Sequence, residues 1–280
     1  MSEGVVPAQL AQACADVSLA RPADAAGGKL ARYVAAPAST QEAAAVMSAA
    51  AALGLAVVPR GSGSRLDWGN PPDGCDLIVD TRHLDAVLEH ASGDMVARIE
   101  AGITLDALQR TLGEQGQRLA LDPPGGGTAG GVIAAGVAGP LRLRYGGPRD
   151  LLIGSTVVRA DGTVARAGGK VVKNVAGYDL GKLFAGSYGT LGLITEATFR
   201  LHPQPPASAY RTLDCADAGA AAAAVQAAAG SPLAPSAVEL HWPSAASAIS
   251  VTVLLEGDEA GAADLVPLQI QFQQASAVPC

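Results

Sequence analysis

The sequence has few charged and few aromatic residues, which make up 16% and 4% of its 280 residues. It also lacks an apolar run of the roughly 18 residues that a membrane-spanning helix needs, and its N-terminus lacks the basic and apolar regions of a signal peptide. The formal net charge of −7 argues against nucleic acid as the main partner. We therefore expect a cytoplasmic protein without a transmembrane helix.

Cysteine and histidine are scarce, with four of each. No two cysteines have the spacing of a C-x-x-C pair, and no two histidines have the H-E-x-x-H spacing of a zinc site. Disulfides are not expected in a protein without an export signal. We predict no metal site and interpret the cysteines as buried or incidental thiols, namely Cys14, Cys75, Cys215 and Cys280.

Small and apolar residues are abundant instead, with 34 glycines and a hydrophobic content of 49%. This composition rules out disorder, and the length is sufficient for a large core in one or two domains. Residues 1–35 show little periodicity and read as a loosely packed lead-in. Three prolines within residues 203–206 form a stiff linker. We predict a main domain over residues 36–205 and a smaller one over residues 206–280.

Capping and turn signals place several elements. Ser39 and Glu42 fit a capping box at the start of an alanine-rich helix that ends near Gly54. Thr104 begins a second helix, whose leucines share one face. Asp161-Gly162 predicts the turn of a hairpin. Beyond the proline linker, a β-α-β-β order predicts a small α+β domain.

One glycine-rich segment matches a dinucleotide-binding motif without its context. Residues 125–130 fit G-x-G-x-x-G, and Asp150 lies twenty residues after Gly130. The motif requires a buried parallel strand directly before it. Pro123 and Pro124 stand there instead, and two prolines do not belong in a central strand. We therefore do not expect a Rossmann fold.

A second glycine loop follows a short apolar run that predicts a buried strand near residue 57. Glycines at alternate positions of this loop permit a positive φ, so that successive N–H groups can point into one concavity. Two serines add hydroxyl donors, and an arginine at either end adds positive charge. The pattern suits a diphosphate, although an ordinary exposed turn explains it equally well. The loop is Arg60, Gly61, Ser62, Gly63, Ser64 and Arg65.

More segments with small side chains follow, at residues 128–131, 139, 145–146 and 186–192. Four motifs, at residues 59–64, 128–131, 145–150 and 186–196, resemble in their order the FAD-binding domain of the vanillyl-alcohol oxidase and p-cresol methylhydroxylase (PCMH) superfamily. Within it, residues 168–180 and 135–140 resemble the FAD-binding subunit of bacterial glycolate oxidase. The resemblance covers roughly residues 36–205.

The resemblance implies a PCMH-type FAD-binding domain of two α+β subdomains with FAD wedged between them, followed by a short, incomplete α+β domain. Carried over by position, the 60–65 loop wraps the diphosphate, residues 128–131 approach the diphosphate and ribityl chain, and Ile194 lies at the adenine end. The implied cofactor-binding residues are Arg60, Gly61, Ser62, Gly63, Ser64, Arg65, Thr128, Gly130, Gly131, Gly139, Tyr145, Gly146, Asp150 and Ile194.

Many members of this superfamily attach FAD covalently through a histidine of the first loop. The corresponding position here is Ser64, and an alkyl hydroxyl is too poor a nucleophile to replace that histidine. We therefore predict that FAD binds non-covalently.

The implied reaction is the two-electron oxidation of a 2-hydroxy acid such as glycolate to glyoxylate, in which hydride passes to flavin N5. Binding the substrate carboxylate calls for a cation, and removing the hydroxyl proton calls for a base. No residue is assigned as catalytic, because each candidate is explained as well or better by a structural role. The candidates are Arg142, Arg144, Arg149, Lys170, Lys173, Asn174, His202 and His241.

The same resemblance implies a complex in which a homologous FAD subunit and an iron-sulfur subunit join this chain, with membrane attachment only through that complex. Two alternatives stay open: a non-catalytic flavin-binding or electron-relay subunit, and an oxidoreductase for another 2-hydroxy acid such as D-lactate. Superfamily members usually continue further, and residues 265–275 hold four glutamines without arginine or glycine. We therefore expect the second domain to be incomplete.

Overall fold

The structure is a computed structural model that describes residues 5–169, 180–244 and 247–257. Its α-helices are α1 (Ala8–Ala13), α2 (Thr40–Ala52), α3 (Leu105–Gly113), α4 (Ala129–Ala135), α5 (Arg142–Tyr145), α6 (Pro148–Leu151), α7 (Leu180–Phe184) and α8 (Ala218–Ala229). Its strands are β1 (Val17–Leu19), β2 (Ala25–Ala26), β3 (Lys29–Leu30), β4 (Tyr33–Ala35), β5 (Val57–Arg60), β6 (Leu77–Asp80), β7 (Val87–Ala91), β8 (Val96–Glu100), β9 (Gln117–Arg118), β10 (Leu152–Val158), β11 (Val164–Gly168), β12 (Leu193–Arg200), β13 (His202–Pro203), β14 (Ala207–Cys215), β15 (Ala237–His241) and β16 (Ile249–Gly257).

The chain divides into two compact units. The first unit contains most of the chain up to His202. The second unit starts at Pro203, within the predicted linker, but it also takes in residues 120–122 and 138–146. The second unit is therefore built from three separate stretches of the chain, an arrangement that a single boundary in the sequence does not describe.

The first sheet of the first unit has the strand order β1-β4-β6-β5. Strands β4, β6 and β5 run parallel, and β1 pairs antiparallel with β4. Leu10 of α1 and Val46 of α2 pack with Leu77 and Val79 of β6 in one core cluster, all four side chains being fully buried. The expectation of a loosely packed lead-in is therefore wrong, because β1, β4 and Leu10 belong to this core. Strands of two or three residues leave too little periodicity for a sequence to reveal them.

The second sheet of the first unit is antiparallel, with the order β11-β10-β12-β8-β7. Strands β10 and β11 form the predicted hairpin around Asp161-Gly162, and Gly162 has a φ of +85°. The two sheets, with their helices, confirm the predicted α+β class.

Hydrogen-bonding side chains begin the helices as the sequence predicts. The hydroxyls of Ser39 and Thr104 accept from the N–H groups of Glu42 and Ala107. The Glu42 carboxylate accepts from the N–H of Ala38 at 2.8 Å, one residue before the expected position. Both helices therefore start where the sequence indicates.

In the second unit, β14, β16 and β15 form an antiparallel sheet in that order. Helix α8 packs its buried alanines on Val251 and Val253 of β16, which confirms the β-α-β-β order. The glutamine-rich stretch at residues 265–275 lies outside the described residues. Among the described helices, none has the length and apolar character that a bilayer crossing requires. Cys14, Cys75 and Cys215 are buried free thiols, and Cys280 lies outside the described residues.

Candidate functional site

The loop at residues 61–65 leaves the carboxyl end of β5 in the parallel part of the first sheet. Its start is fixed, because the carbonyl of Arg60 accepts from the N–H of Thr81 at 2.9 Å. Gly63 has a φ of +77°, in the left-handed region that favours glycine. The strand and the turn that the sequence predicts are therefore both present.

Four successive backbone N–H groups of this loop, from Gly61 to Ser64, donate no hydrogen bond to any described residue. The hydroxyls of Ser62 and Ser64 lie 3.2 Å apart on the exposed side of the loop. Unpaired amides beside a residue of positive φ form an anion-binding concavity. The loop thus has the donors that a diphosphate needs.

Arg60 does not add free positive charge to this loop. Its guanidinium donates to Asp24 at 2.7 Å and to Asp80 at 2.8 Å, and only 13% of its side chain is exposed. Arg82 also pairs with Asp80, at 2.7 Å. Burial works against ionisation of Arg60 and Asp80, but these bonds outweigh it, so the pKa of Arg60 is raised and that of Asp80 is lowered. The pKa of Asp24 is lowered by the N–H of Arg21 and then by Arg60.

Arg65 connects the two glycine segments of the first unit. Its guanidinium donates to the carbonyls of Pro124 and Gly126, at 2.7 and 2.9 Å, and to the Ser64 hydroxyl at 3.0 Å. It also lies over the ring of Trp68, 5.5 Å from the centroid. The two bonds to Pro124 and Gly126 hold the segments together, so Arg65 connects them.

The segment at residues 128–131 uses its polar groups internally. Thr128 begins α4, and its hydroxyl accepts from the N–H of Gly131. The N–H of Gly130 donates to the carbonyl of Ala101 at 2.7 Å. A Cβ on Gly130 would lie 2.7 Å from the Ala101 Cβ, and one on Gly61 would lie 2.0 Å from the Thr128 hydroxyl. Close packing of the chain on itself therefore explains these two glycines without a ligand.

The positions of the strands test the dinucleotide motif at residues 125–130. This segment follows no strand directly, since β9 ends at Arg118. The prediction that residues 125–130 are not part of a Rossmann fold is confirmed.

Two small pockets lie between the two sheets of the first unit. The loop pocket, of about 90 Å³, is lined by residues 61–66 and by the end of α4. The strand pocket, of about 70 Å³, is lined by Ala101 and Ile194 among others. Five residues line both pockets: Pro59, Gly61, Gly131, Ala134 and Tyr188. The slot made by these pockets brings most of the implied cofactor-binding residues of the first unit together.

A larger cavity, of about 950 Å³, is also lined by this loop. Residues 61–64 also line this cavity, together with residues 66–71 and the β2–β3 hairpin region. Asp80 lines its wall, while its carboxylate is occupied by Arg60 and Arg82.

Five of the implied residues do not line this slot, and one of them, Thr128, is the N-cap of α4 in the first unit. Gly139, Tyr145 and Gly146 belong to the second unit, where the Tyr145 hydroxyl donates to Glu256 at 2.7 Å. Asp150 belongs to the first unit, but its carboxylate accepts from the N–H of Gly147 and so caps α6. The contacts of the described residues thus assign structural roles to Tyr145 and Asp150.

Asp122 in the second unit has a perturbed carboxyl group. Burial raises its pKa above the ordinary value, although the N–H of Leu141 donates to it at 3.1 Å. A Cβ on Gly139 would lie 2.0 Å from the Asp122 carbonyl oxygen, so the glycine is needed for this close approach.

None of the described substrate-binding candidates lines the slot. Arg142, Arg144 and Arg149 are exposed, and Arg144 donates to Ser236 at 3.2 Å. His241 is exposed on β15. His202 lies on β13 and is half-buried. Lys170, Lys173 and Asn174 lie outside the described residues. No group of three His, Cys, Asp or Glu within the described ranges is arranged to hold a metal ion.

Sequence reasoning missed Asp24, Asp80 and Tyr188 as neighbours of the loop. Asp24 and Asp80 lie 36 and 20 residues from Arg60, so no local pattern connects them. Tyr188 carried a signal, because it is a large residue inside the glycine-rich run at residues 186–192.

Comparison with known proteins shows which family this segment matches. The FAD binding domain family matches residues 31–168. This segment is an FAD-binding domain. The glycolate oxidase subunit GlcD of Bacillus subtilis is 39% identical over 175 residues, which cover 61% of this chain and 37% of that protein. The glycolate oxidase subunit GlcE of Escherichia coli is 38% identical over 155 residues, which cover 54% of this chain and 44% of that protein.

A solved structure, alkyldihydroxyacetonephosphate synthase, shares the fold. It superposes with a TM-score of 0.74 at 21% identity and covers 89% of this chain and 51% of that one. The chain thus spans less than half the length of the two glycolate oxidase subunits it matches. The resemblance to FAD-binding glycolate oxidase subunits and the expectation of FAD are confirmed for the FAD-binding domain.

Proposed function

We propose that this chain is a subunit of an FAD-dependent complex that oxidises glycolate, or a closely related 2-hydroxy acid, to the 2-oxo acid. The observation that carries the proposal is the run of four unpaired N–H groups after β5, at the edge of a slot within the FAD-binding domain. The similarity to two glycolate oxidase subunits supports the substrate class.

The chain's own residues divide the work of holding FAD. The N–H groups of residues 61–64 and the hydroxyls of Ser62 and Ser64 receive the diphosphate. Arg60 positions this loop through Asp24 and Asp80, and Arg65 fixes it to the second glycine segment. Thr128, Gly130 and Gly131 allow the close approach of the chain segments around the slot. Ile194 lines the far end of the slot, where the adenine is expected.

Bound FAD supplies the redox chemistry, since it takes up the two electrons and the hydrogen that leave the hydroxyl-bearing carbon. The hydroxyl proton must pass to a base, and the substrate carboxylate must meet a cation. The described residues bring no such pair together at the slot, so these groups belong to a part of the assembly other than the described slot.

A base and a cation that lie outside the described slot are consistent with partner chains. The chain is 39% identical to GlcD and 38% identical to GlcE over the aligned residues. Both relatives are named as subunits of a glycolate oxidase, so the chain is related to two different kinds of subunit. We propose that a homologous FAD subunit and an iron-sulfur subunit join this chain, with membrane attachment only through them. A non-catalytic flavin-binding or relay subunit is the second candidate, and it is favoured because the described residues that line the slot include no histidine or carboxylate that could act as the base.

Anaerobic titration of the FAD-loaded chain with glycolate separates the two candidates. Bleaching of the flavin absorbance by glycolate alone supports a catalytic subunit, and D-lactate and glycerate in parallel define the substrate. A spectrum that stays oxidised until partner subunits are added supports the relay role. A folded chain that does not take up FAD contradicts both candidates.

Acid precipitation tests how FAD is held. Because Ser64 stands where other members carry the linking histidine, we expect the yellow colour to stay in the supernatant. Colour that remains with the pellet contradicts non-covalent binding.

A further inference from the structure

Another pocket lies on one face of the antiparallel sheet of the first unit. It has a volume of about 320 Å³, and four neighbouring strands line it, namely β11, β10, β12 and β8. None of the described residues that line it also lines the slot or the larger cavity. This sheet-face pocket is therefore separate, in the residues that build it, from the proposed FAD site.

The register of the strands leaves room for the pocket. Gly154 of β10 lies directly opposite Gly168 of β11 on one side and Thr198 of β12 on the other. Directly opposite residues of an antiparallel pair are neighbours on one face, so two glycines stand side by side there. Gly168 has a φ of +74°, and a Cβ on it would lie 2.1 Å from the Ile153 carbonyl oxygen, so this position requires glycine. The missing side chains leave a recess in the sheet face.

A buried hydroxyl at this recess has no partner. Thr198 is only 7% exposed, and its hydroxyl makes no hydrogen bond with any residue that the structure describes. The hydroxyl of Thr156, in the next row of the same face, is used instead, because it donates to the Glu196 carboxylate at 3.2 Å. Buried polar groups in native proteins nearly always have a hydrogen-bond partner. Thr198 thus offers a donor to a molecule in the pocket.

Two arginines give the pocket a positive charge. Glu196 is the one acid among the described lining residues, and its Oε2 lies 3.4 Å from Nε of Arg98. Arg166 is exposed opposite Thr156 and makes no hydrogen bond or ion pair with any described residue. Two arginines and one glutamate leave a charge of +1, in a chain whose net charge is −7. Arg166 is therefore a cation without a counter-ion among the described residues.

We propose that the sheet-face pocket binds a small oxyanion, a carboxylate or a phosphate, through the guanidinium of Arg166 and the hydroxyl of Thr198. A guanidinium presents its N–H donors in a fixed fork that matches the oxygens of both groups. The volume stands at the lower end of the range of ligand pockets, which suits a small metabolite better than a nucleotide. This site goes beyond the proposed function, since it does not depend on FAD.

Isothermal titration calorimetry of the FAD-loaded chain with sodium acetate and with sodium phosphate, at constant ionic strength, tests the proposal. FAD occupies the loop at residues 61–64, so an anion attracted to that loop does not contribute to the heat. We expect saturable binding of at least one of the two anions. The anion that binds more tightly shows whether the natural ligand presents a carboxylate or a phosphate.

Substitutions locate the bound anion. We expect R166Q to weaken it about tenfold or more, the size of a hydrogen bond to a charged group, and T198V to weaken it about fivefold. Because the Thr198 hydroxyl has no described partner, T198V should leave the melting temperature unchanged. R159Q is the matched control, since Arg159 is exposed on the turn of the same hairpin and does not line the pocket. It should bind the anion as the original chain does.

Three results would overturn the proposal. They are the absence of saturable heat with both anions, an equal loss of affinity in R159Q and R166Q, and unchanged binding by a folded variant that carries both R166Q and T198V. None of these results affects the proposed FAD site, because neither substitution changes a residue of the slot. A chain that does not bind FAD contradicts the proposed function alone, and the same titration without FAD then decides this inference by its dependence on Arg166.

Discussion

The two glycine segments of the FAD-binding domain look alike in sequence and differ in what their backbones do. Residues 61–64 present four N–H groups without a described partner, whereas the N–H groups of Gly130 and Gly131 are used within the protein. Gly63 has open space around it apart from ordinary contacts, whereas a Cβ on Gly130 would clash with Ala101. Gly63 thus leaves its surroundings open, whereas Gly61 and Gly130 allow the two segments to pack closely.

The difference shows that glycine density alone does not locate a binding site. The number of backbone N–H groups without an acceptor is a better guide to a binding site. A buried or half-buried N–H needs an acceptor from the protein, from water or from a ligand. This measure supports the proposal that the diphosphate binds at residues 61–64.

The largest effect is expected from Gly61→Ala, because the new side chain in the first segment would clash with Thr128 in the second. The new Cβ would lie 2.0 Å from the Thr128 hydroxyl, so the loop must move and its amides lose their common direction. We expect FAD affinity to fall at least a hundredfold and the free energy of unfolding to fall by about 1–3 kcal/mol, as for other overpacked sites. Flavin titration and denaturant unfolding measure the two effects. Adding Thr128→Ala should restore part of both, and an unchanged double variant would argue against the clash.

Gly130→Ala is expected to separate stability from binding. Its Cβ would lie 2.7 Å from the Ala101 Cβ, so we expect a loss of about 1–3 kcal/mol in the free energy of unfolding. FAD affinity of the folded fraction should stay within about threefold. A variant that binds FAD poorly but has an unchanged free energy of unfolding would contradict the packing role assigned to Gly130.

Asp24→Asn tests the ion pair that holds Arg60 at the start of the loop at residues 61–65. The pKa of Asp24 and of Asp80 is lowered in the fold, so both stabilise it above their ordinary value of 3.8, and this contribution is lost as pH falls through the lower folded values. We expect the variant to lose about 1.5–3 kcal/mol at pH 7, the size of a hydrogen bond to a charged group, and less near pH 3.

Asp122→Asn is the matched control for this pH dependence. The pKa of Asp122 is raised by burial, so its ionisation costs stability as pH rises from 3.8 through the folded value. The asparagine variant should therefore be relatively more stable at pH 7 than at pH 3, opposite in sign to Asp24→Asn. Unfolding curves at both pH values measure this, and equal signs would contradict the roles assigned to the two carboxylates.

Ser62→Ala should have the smallest effect. Loss of one hydroxyl donor to a diphosphate corresponds to about 1 kcal/mol, or roughly fivefold in FAD affinity. The exposed Ser18→Ala serves as control and should leave the affinity unchanged. A larger loss in the control than in Ser62→Ala would remove Ser62 from the site.

Local signals in the sequence predicted local structure well. The caps at Ser39 and Thr104 and the turn at Asp161-Gly162 were found because their partners lie within three residues or across one hairpin. Order and spacing of motifs identified the FAD-binding domain, because the resemblance does not depend on knowing individual contacts.

Contacts between distant residues were not predictable in this way. Arg60 looked like a phosphate ligand until Asp24 and Asp80 were seen to neutralise it. Gly61 and Gly130 looked like ligand-facing glycines until Thr128 and Ala101 were found against them. The assignment of individual cofactor-binding residues stays a prediction that the variants above address.

The composition of the second unit has a practical consequence for dissecting this protein. Leu141 and Tyr145, which precede the proline linker by some sixty residues, pack with Ala237 and Leu254 of the sheet that follows it. A fragment beginning at Pro203 would leave that apolar patch of the sheet uncovered and would lose the Tyr145–Glu256 bond. Exchange of this unit with a relative's therefore requires three simultaneous grafts, and a single crossover at the prolines would produce a mismatched, aggregation-prone hybrid.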